Sequence, residues 1–444
     1  MTTADPSRES WASRHEVKLI FLFCVLQLSI YLKDHVYTSF DSGWTVPLAY
    51  SMLEEGDTDL DEFKAIIPQD DYRVITVDGH LRSYYPVAPA LVVLPPVALL
   101  KYLGRKAYGI RLEKQLNTVS HSRIERLLGS LVVIAATVLL YLLARRQLGI
   151  GMAMLLAAAF AFSTSAWSVL SRGMWQHSPL VLCLFAALLF LLRAERAPKH
   201  VFGGALLVAI GYWMRPTGIE PIVVLSAWVV LFERRHLVPW LAGLAAGLFP
   251  FLLHNYLTLG SLLPSYYVPG QNPGFSFADF GEGLAGTLFS PGRGLFLYCP
   301  LVLLAFVGIW LAWKQRAGSI YLALAALPVL HWLLLASREN WWGGFSYGPR
   351  LFADMFPVFF VFLIPVMKEI AGIGQLPKSW TRPALATAFG ILFAAGVWIN
   401  EKGTGWPAWD WNGYPESVDH APQRNWDWND TPWSRKTEHF EHLK

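Results

Sequence analysis

The chain has 444 residues, of which 54% are hydrophobic and 15% charged, with a formal net charge of +4. Soluble domains usually carry about a quarter charged residues, whereas here the apolar residues fall in unbroken runs such as 127–144, 201–214 and 237–253. With a mean hydropathy of +0.37, this excludes a soluble, collagen-like, disordered or disulfide-rich secreted chain and leaves a polytopic membrane protein.

Residues 1–18 are polar. The apolar run that follows ends at Lys33-Asp34 without a small-residue cleavage site, so it reads as a retained first span. About 20 apolar residues cross a bilayer. On that measure the spans are roughly 17–34, 127–144, 150–168, 179–193, 201–214, 217–232, 237–254, 296–313, 318–336, 353–368 and 382–399. Basic residues gather at five alternate junctions: Arg145/Arg146, Arg193/Arg196/Lys199, Arg234/Arg235, Lys314/Arg316 and Lys368/Lys378/Arg382. Short loops rich in Lys and Arg stay cytoplasmic, which puts these junctions on the same side as Arg8, Arg14 and Lys18. The connections 35–126, 169–178, 255–295 and 337–352 then face outward, as does a tail, 400–444, with six Trp.

The expected architecture is therefore an all-α polytopic membrane protein. It has about 11 transmembrane helices over 17–399, a cytoplasmic N-terminus 1–16, a first outer loop 35–126 and an extracytoplasmic tail 400–444. Val87–Leu100 is apolar enough to be a twelfth span. Spanning there would turn all five basic junctions outward, and Pro89, Pro95 and Pro96 disfavour a straight helix. A helix lying in or dipping into the outer interface is the preferred reading. It leaves Lys101, Arg105, Lys106, Arg111, Lys114, Arg123 and Arg126 outside, where they suit anionic lipid. No other basic face is concentrated enough for nucleic acid. Cys24, Cys183 and Cys299 stand in or beside apolar runs, far apart, and form no metal or redox motif.

The predicted outer connections carry the chemistry. From Lys33 to Tyr85 there are eleven Asp/Glu and four Lys/Arg. Most read as solvated loop acids. Asp41 follows the first span closely, beside Phe40 and Trp44. A carboxylate there can act as a general base, or hold a cation or a substrate hydroxyl. Further clusters are SRGMWQHSP (171–179), WMRPTG (213–218), HNY (254–256), SPGRG (290–294) and NWWGGFSYGPR (340–350). Four of these hold an Arg (Arg172, Arg215, Arg293 or Arg350) beside Gly or Pro. A guanidinium on a rigid turn suits bidentate binding of phosphate. Neighbouring Trp and Tyr suit a sugar face or the headgroup layer. Taken singly, each cluster is equally an interfacial anchor. Arg215 stands out because a charge between two spans is costly unless paired or used.

In order along residues 20–365, these motifs resemble the C-type integral membrane glycosyltransferases, nearest to bacterial carrier-lipid-dependent members akin to protein O-mannosyltransferases and aminoarabinose transferases. The resemblance implies a C-type glycosyltransferase fold in the cell (inner) membrane and a polyprenyl-phosphate-linked sugar as donor. The acceptor would be an envelope glycan, a lipid or a protein on the outer face. Asp41 stands where relatives hold the acid of the first outer loop. DGHLRSYYP (78–86) is similar to their donor-phosphate region. The resemblance thus assigns Arg82, Tyr84, Tyr85, Arg172, His177, Arg215, Arg293, Tyr347 and Arg350 to substrate binding, His177 and Tyr347 orienting sugar or acceptor.

The chain also departs from its relatives. Asp41 is followed by Ser42 rather than a second acid, Gln176 and His177 stand where relatives often have an Asp, and a Lys-Pro-Pro seen in some relatives is absent. A two-acid metal site is not supported, so no cofactor and metal-independent transfer are expected. Two other classes stay open. A lipid or polyol transporter or flippase would need repeats and broken helices meeting at mid-membrane, and the two halves show no repeat. A non-catalytic lipid-binding membrane subunit would keep the fold without the chemistry.

Overall fold

The computed structural model describes residues 14–33, 36, 41–108, 116, 121–193, 197–268, 274–376 and 380–435. Arg8, Arg111, Lys114, Arg196 and Lys378, used above to orient the chain, lie outside the described residues, as does Phe40.

The first helices in chain order are α1 (Glu16–Lys33), α2 (Thr45–Glu54), α3 (Ala88–Tyr108), α4 (His121–Ala144), α5 (Ile150–Phe162), α6 (His177–Leu191), α7 (Pro198–Met214) and α8 (Ile219–Phe232). They are followed by α9 (Leu237–Leu259), α10 (Phe280–Phe289), α11 (Leu295–Tyr298), α12 (Val302–Lys314), α13 (Ile320–Ala336), α14 (Phe356–Ile370), α15 (Thr381–Lys402) and α16 (Trp406–Asp410). Each expected span overlaps helix within its described residues. Among the described residues, five stretches suffice by length and composition to cross a membrane: Ala88–Lys106, Arg123–Ala144, Arg234–Leu259, Arg350–Ile370 and Thr381–Lys402. Other apolar helices, such as His177–Leu191 and Ile320–Ala336, are shorter.

Two expected spans are broken. In 150–168, α5 stops at Phe162. Ser163 and Thr164 hydroxyls bond back to Ala159 O and Phe160 O, and Thr164 Oγ1 also accepts from Ala166 N. Such side-chain competition ends helices, and a π turn, Ala166–Leu170, follows. In 296–313, Pro300 separates the single turn α11 from α12.

The core sits around α14, in which nearly every residue is buried. Helix α12 approaches it most closely at Gly308. A Cβ there would overlap Phe362 O, so the two backbones touch through the absent side chain. Gly308→Ala should force α12 off α14 and cost about 1–3 kcal/mol. An unchanged unfolding temperature in detergent would contradict this contact.

The first outer loop builds its own small unit, a departure from the all-α expectation. Strands β1 (Val74–Val77) and β2 (His80–Ser83) pair antiparallel, with Val74 opposite Ser83 and Val77 opposite His80. Asp78 (φ 52°) and Gly79 (φ 87°) make the turn, as the two positive φ values of a tight hairpin require. Trp44, Leu48, Phe63, Val93, Val97, Leu128 and Met174 form one apolar cluster that packs this unit, α2 and α3 against α4. Helix α3 runs unbroken through Pro95 and Pro96. Ala90, Val93 and Val97 are buried on one face, while Leu91, Leu99, Tyr102 and Leu103 are exposed on the other. Pro95 lies on that exposed side, so its ring and missing N–H do not disturb the packed face. The helix is long enough to span, and it packs on α2.

The bundle has two chemically distinct ends. At one end, Arg146, Arg193 and the 317–321 turn line a crevice of about 490 Å³, and an apolar slot of about 670 Å³ beside Lys314 and Arg316 shares Ala317, Ser319 and Tyr321 with it. Glu233, the one carboxylate lining them among the described residues, is already paired with Arg235 at 3.1 Å. At the other end gather the predicted outer motifs. The tail packs there too: Trp342 Nε1 donates to Asp419, Trp426 Nε1 to Glu282, and Trp433 lies against Tyr298. Asp430 binds Arg424 and Arg435, fixing the tail on itself.

Candidate functional site

Asp41 enters the site on a turn that leads into α2. Its neighbour Ser42 fixes that turn: the Ser42 hydroxyl donates to Glu125, a buried carboxylate on α4, and Met174 N donates to the same Glu125 oxygen at 2.9 Å. One buried acid thus ties the first outer loop to the second. Asp41 Oδ1 accepts from the Tyr72 hydroxyl at 2.9 Å, and Oδ2 from Arg350 Nη1 at 3.3 Å. Burial, and then the Asp41 carboxylate beside them, push the Tyr72 and Tyr85 phenols well above their ordinary range, so both stay protonated as donors. The Asp41 side chain remains 32% exposed, open enough for a second molecule to reach it.

Asp41, Arg215, Arg338 and Arg350 line one narrow cavity of about 50 Å³, together with Ser42, Trp175, Gln176, Tyr266, Asn340 and Leu351. Arg350 is held on three sides. Its guanidinium lies 4.2 Å from the Trp175 ring centroid, Nη2 donates to Gly343 O, and Nη1 reaches Asp41. Arg215 follows α7 in extended backbone and is fixed at Nε, which donates to the Thr217 hydroxyl at 3.1 Å and lies 3.1 Å from Asp354 Oδ2. Among the described residues its terminal nitrogens bond to no protein group. Arg338, just after α13, has a buried Nε without a partner among the described residues. Burial, then the charges of Arg215 and Arg350, lower its pKa. Three guanidiniums face two carboxylates, Asp41 beside Arg350 and Asp354 beside Arg215, so the site is short of one negative charge, which an anion would supply.

The sequence assignments divide accordingly. Asp41, Arg215 and Arg350 converge. Tyr84 and Tyr85 stand beside the cavity through Tyr266, their ring centroids 5.6 and 4.9 Å from it. Arg82 does not line the cavity. It lies on β2, reaches Thr58 at 3.4 Å and is close to His254, so the strand pairing carries it to the flank. His177 is fully buried behind the cavity, its Nδ1 2.7 Å from Asp354. Three further assigned residues do not line the cavity. Arg172 is fully buried, and its Nε donates to Trp167 O. Arg293 is spent on Trp342 O, Gly292 O, Gly344 O and Asn412 Oδ1. Tyr347 is fully buried and donates to Ile399 O on α15.

Arg338, Tyr266, Glu125 and Asp354 complete the site. Tyr266 and Asp354 lie in stretches similar to the relatives' outer-loop motifs, HNYLTLGSLLPSYY (254–267) and WWGGFSYGPRLFADMFP (341–357), without being singled out there, and Arg338 and Glu125 carry no motif. Arg338 is two residues from Asn340, where the recognised cluster begins. A charge at the end of an apolar run was the available signal.

Comparisons with known proteins agree with this architecture. Residues 107–256, about a third of the chain, match the family described as dolichyl-phosphate-mannose-protein mannosyltransferase. The oligosaccharyltransferase of Archaeoglobus fulgidus, solved with a tethered acceptor peptide containing the NVT sequon, superposes with TM-score 0.55 at 13% identity. That match covers 96% of this chain and 61% of the other. The oligosaccharyltransferase AglB of Archaeoglobus fulgidus, solved with an inhibitory peptide and a dolichol-phosphate, gives 0.53 at 12%, again over 96% and 61%. ArnT of Cupriavidus metallidurans, bound to undecaprenyl phosphate, gives 0.52 at 14%, covering 93% and 80%. The chain thus spans about three fifths of the archaeal enzyme's length. No curated protein sequence matches it. The fold is that of the C-type membrane glycosyltransferases.

Proposed function

We propose that this multi-pass membrane protein is a glycosyltransferase that moves a sugar from a polyprenyl-phosphate donor to an acceptor hydroxyl, with Asp41 as general base. The observation that carries the reading is the sharing of one cavity by Asp41 and the guanidiniums of Arg215, Arg338 and Arg350. A carboxylate takes a proton; guanidiniums hold a phosphate.

In the reaction, the acceptor hydroxyl gives its proton to an Asp41 oxygen as its own oxygen bonds to the anomeric carbon. The bond from that carbon to the phosphate oxygen breaks, and its electron pair leaves with polyprenyl phosphate. Arg215 and Arg338 neutralise the charge that grows on the phosphate, the kind of fixed electrostatic stabilisation that speeds transfer most. Arg350 keeps Asp41 at the cavity wall. Tyr84, Tyr85 and Tyr266 offer ring faces for the sugar, and Arg82 stands on the flank for the carrier lipid's approach. His177 acts from behind the wall, through Asp354. A divalent ion does not suit this donor set: one carboxylate, already bonded to Arg350 and Tyr72, among three cations. The transfer is therefore written without a metal.

The acceptor is an envelope glycan, a lipid or a protein. The basic crevice at the far end of the bundle supports a cytoplasmic placement of that end and an outward-facing site in the inner membrane. The test is release of polyprenyl phosphate when purified protein meets a polyprenyl-phosphate-linked sugar, alongside lipid-linked saccharides and envelope glycans in cells with and without the protein. Lipid binding with no release, and unchanged glycans, would instead mark a non-catalytic subunit.

A further inference from the structure

The 3₁₀ turn Arg350–Met355 carries two charged side chains of opposite sign. Arg350, at its start, reaches Asp41. Asp354, four residues on, is fully buried and faces the other way. Its Oδ1 lies 2.7 Å from His177 Nδ1. Its Oδ2 accepts from the Thr217 hydroxyl at 2.7 Å and lies 3.1 Å from Arg215 Nε. The turn itself is pinned from below: His331 Nε2 donates to Leu351 O at 2.9 Å, while its Nδ1 is held by Glu220 at 2.8 Å.

The geometry points to Asp354 as the positioning residue for Arg215, rotating its guanidinium so that the terminal nitrogens face the cavity where the donor phosphate would lie. This rests on the phosphate role proposed for Arg215. A guanidinium offers donors along three edges. Held at Nε by Asp354 and Thr217, it cannot swing away, and its two terminal groups form a fork suited to two phosphate oxygens. Without the Asp354 charge, Nε keeps only the Thr217 hydroxyl, and the fork is free to turn. Because the same turn delivers Arg350 to Asp41, one short segment aligns the anion-binding side of the cavity with its basic side.

The test is a double-mutant cycle on Asp354→Asn and Arg215→Ala, reading affinity for polyprenyl phosphate, donor KM and kcat, with thermal unfolding measured in parallel. Arg215→Ala is expected to weaken polyprenyl phosphate by about 10- to 100-fold and Asp354→Asn by about 10-fold, within what loss of a charged hydrogen bond removes. The pair should be no worse than Arg215→Ala alone, because Asp354 acts only through Arg215. Independent, multiplying losses would overturn the positioning role, as would unchanged affinity in a folded Asp354→Asn protein. If Arg215→Ala itself binds polyprenyl phosphate normally, the phosphate role falls instead. Should Asp354→Asn fail to fold, Thr217→Val removes the hydroxyl that bridges the two groups. It should weaken binding two- to fivefold in the parent and not at all beside Arg215→Ala. A loss that persists beside Arg215→Ala would overturn the proposal.

Discussion

Asp41→Asn is expected to lower sugar transfer by at least ~100-fold while the bundle stays folded and polyprenyl phosphate stays bound. General-base catalysis contributes about 10²- to 10⁴-fold, and an amide cannot take the acceptor proton. Asparagine keeps the size of the side chain and an oxygen that can accept from Tyr72. Stability should change little, because the ion pair with Arg350 is partly exposed, and such pairs contribute at most about 1 kcal/mol. Arg350 also keeps its stacking on Trp175 and its bond to Gly343 O, so the cavity wall does not collapse. The measurement is single-turnover release of polyprenyl phosphate, with lipid affinity and unfolding temperature taken on the same preparation. Full transfer by the folded variant would remove Asp41 from the base role. Loss of transfer together with loss of lipid binding would show that the carboxylate organises the cavity and leave its proton chemistry undemonstrated.

Asp41 was legible because its signal is local: one carboxylate soon after a first apolar run, among aromatic residues. The helices were legible for a similar reason, since a run of apolar residues carries its own reason to be helical in lipid. Where the structure departs, the cause is short-range chemistry within such a run. Ser163 and Thr164 turned hydroxyls onto the backbone and ended α5 early, and Pro300 cut α11 from α12. The hairpin at 74–83 was written in four β-branched residues and an Asp-Gly turn, a signal hidden by the weight of the apolar runs. The rest of the site is long-range. Glu125 meets Ser42 across 83 residues and Asp354 meets His177 across 177, so neither pairing is visible until the helices are packed. The arginines show the limit most sharply. Arg215 and Arg293 each stand beside Gly or Pro on a turn, and their local sequences do not tell them apart. What separates them is the set of oxygens the fold brings to each: Arg293 is given four, while the terminal nitrogens of Arg215 are given none among the described residues.

That difference sets the other large expected effect. Arg293→Ala should destabilise the protein by about 3 kcal/mol or more, because buried acceptors left unpaired cost about 1–3 kcal/mol each. The residue is 2% exposed. It joins three segments: its own loop through Gly292 O, the 342–344 loop through Trp342 O and Gly344 O, and the tail through Asn412 Oδ1 at 2.6 Å. The Trp411 ring covers it at 5.3 Å. Burial pulls its pKa down to about 10, which still leaves it charged at neutral pH. Lysine should not rescue it, since one ammonium cannot reproduce a planar fork that spans three segments. The readouts are unfolding temperature and proteolysis within 406–435, both of which should show the tail released from the outer loops. Arg338→Ala is the counterpart. Its Nε has no partner among the described residues, so its removal should weaken polyprenyl phosphate binding with little change in unfolding. A folded, proteolysis-resistant Arg293→Ala protein with weakened lipid binding would reverse the division, returning Arg293 to the donor site and leaving the tail to hold by its aromatic contacts alone.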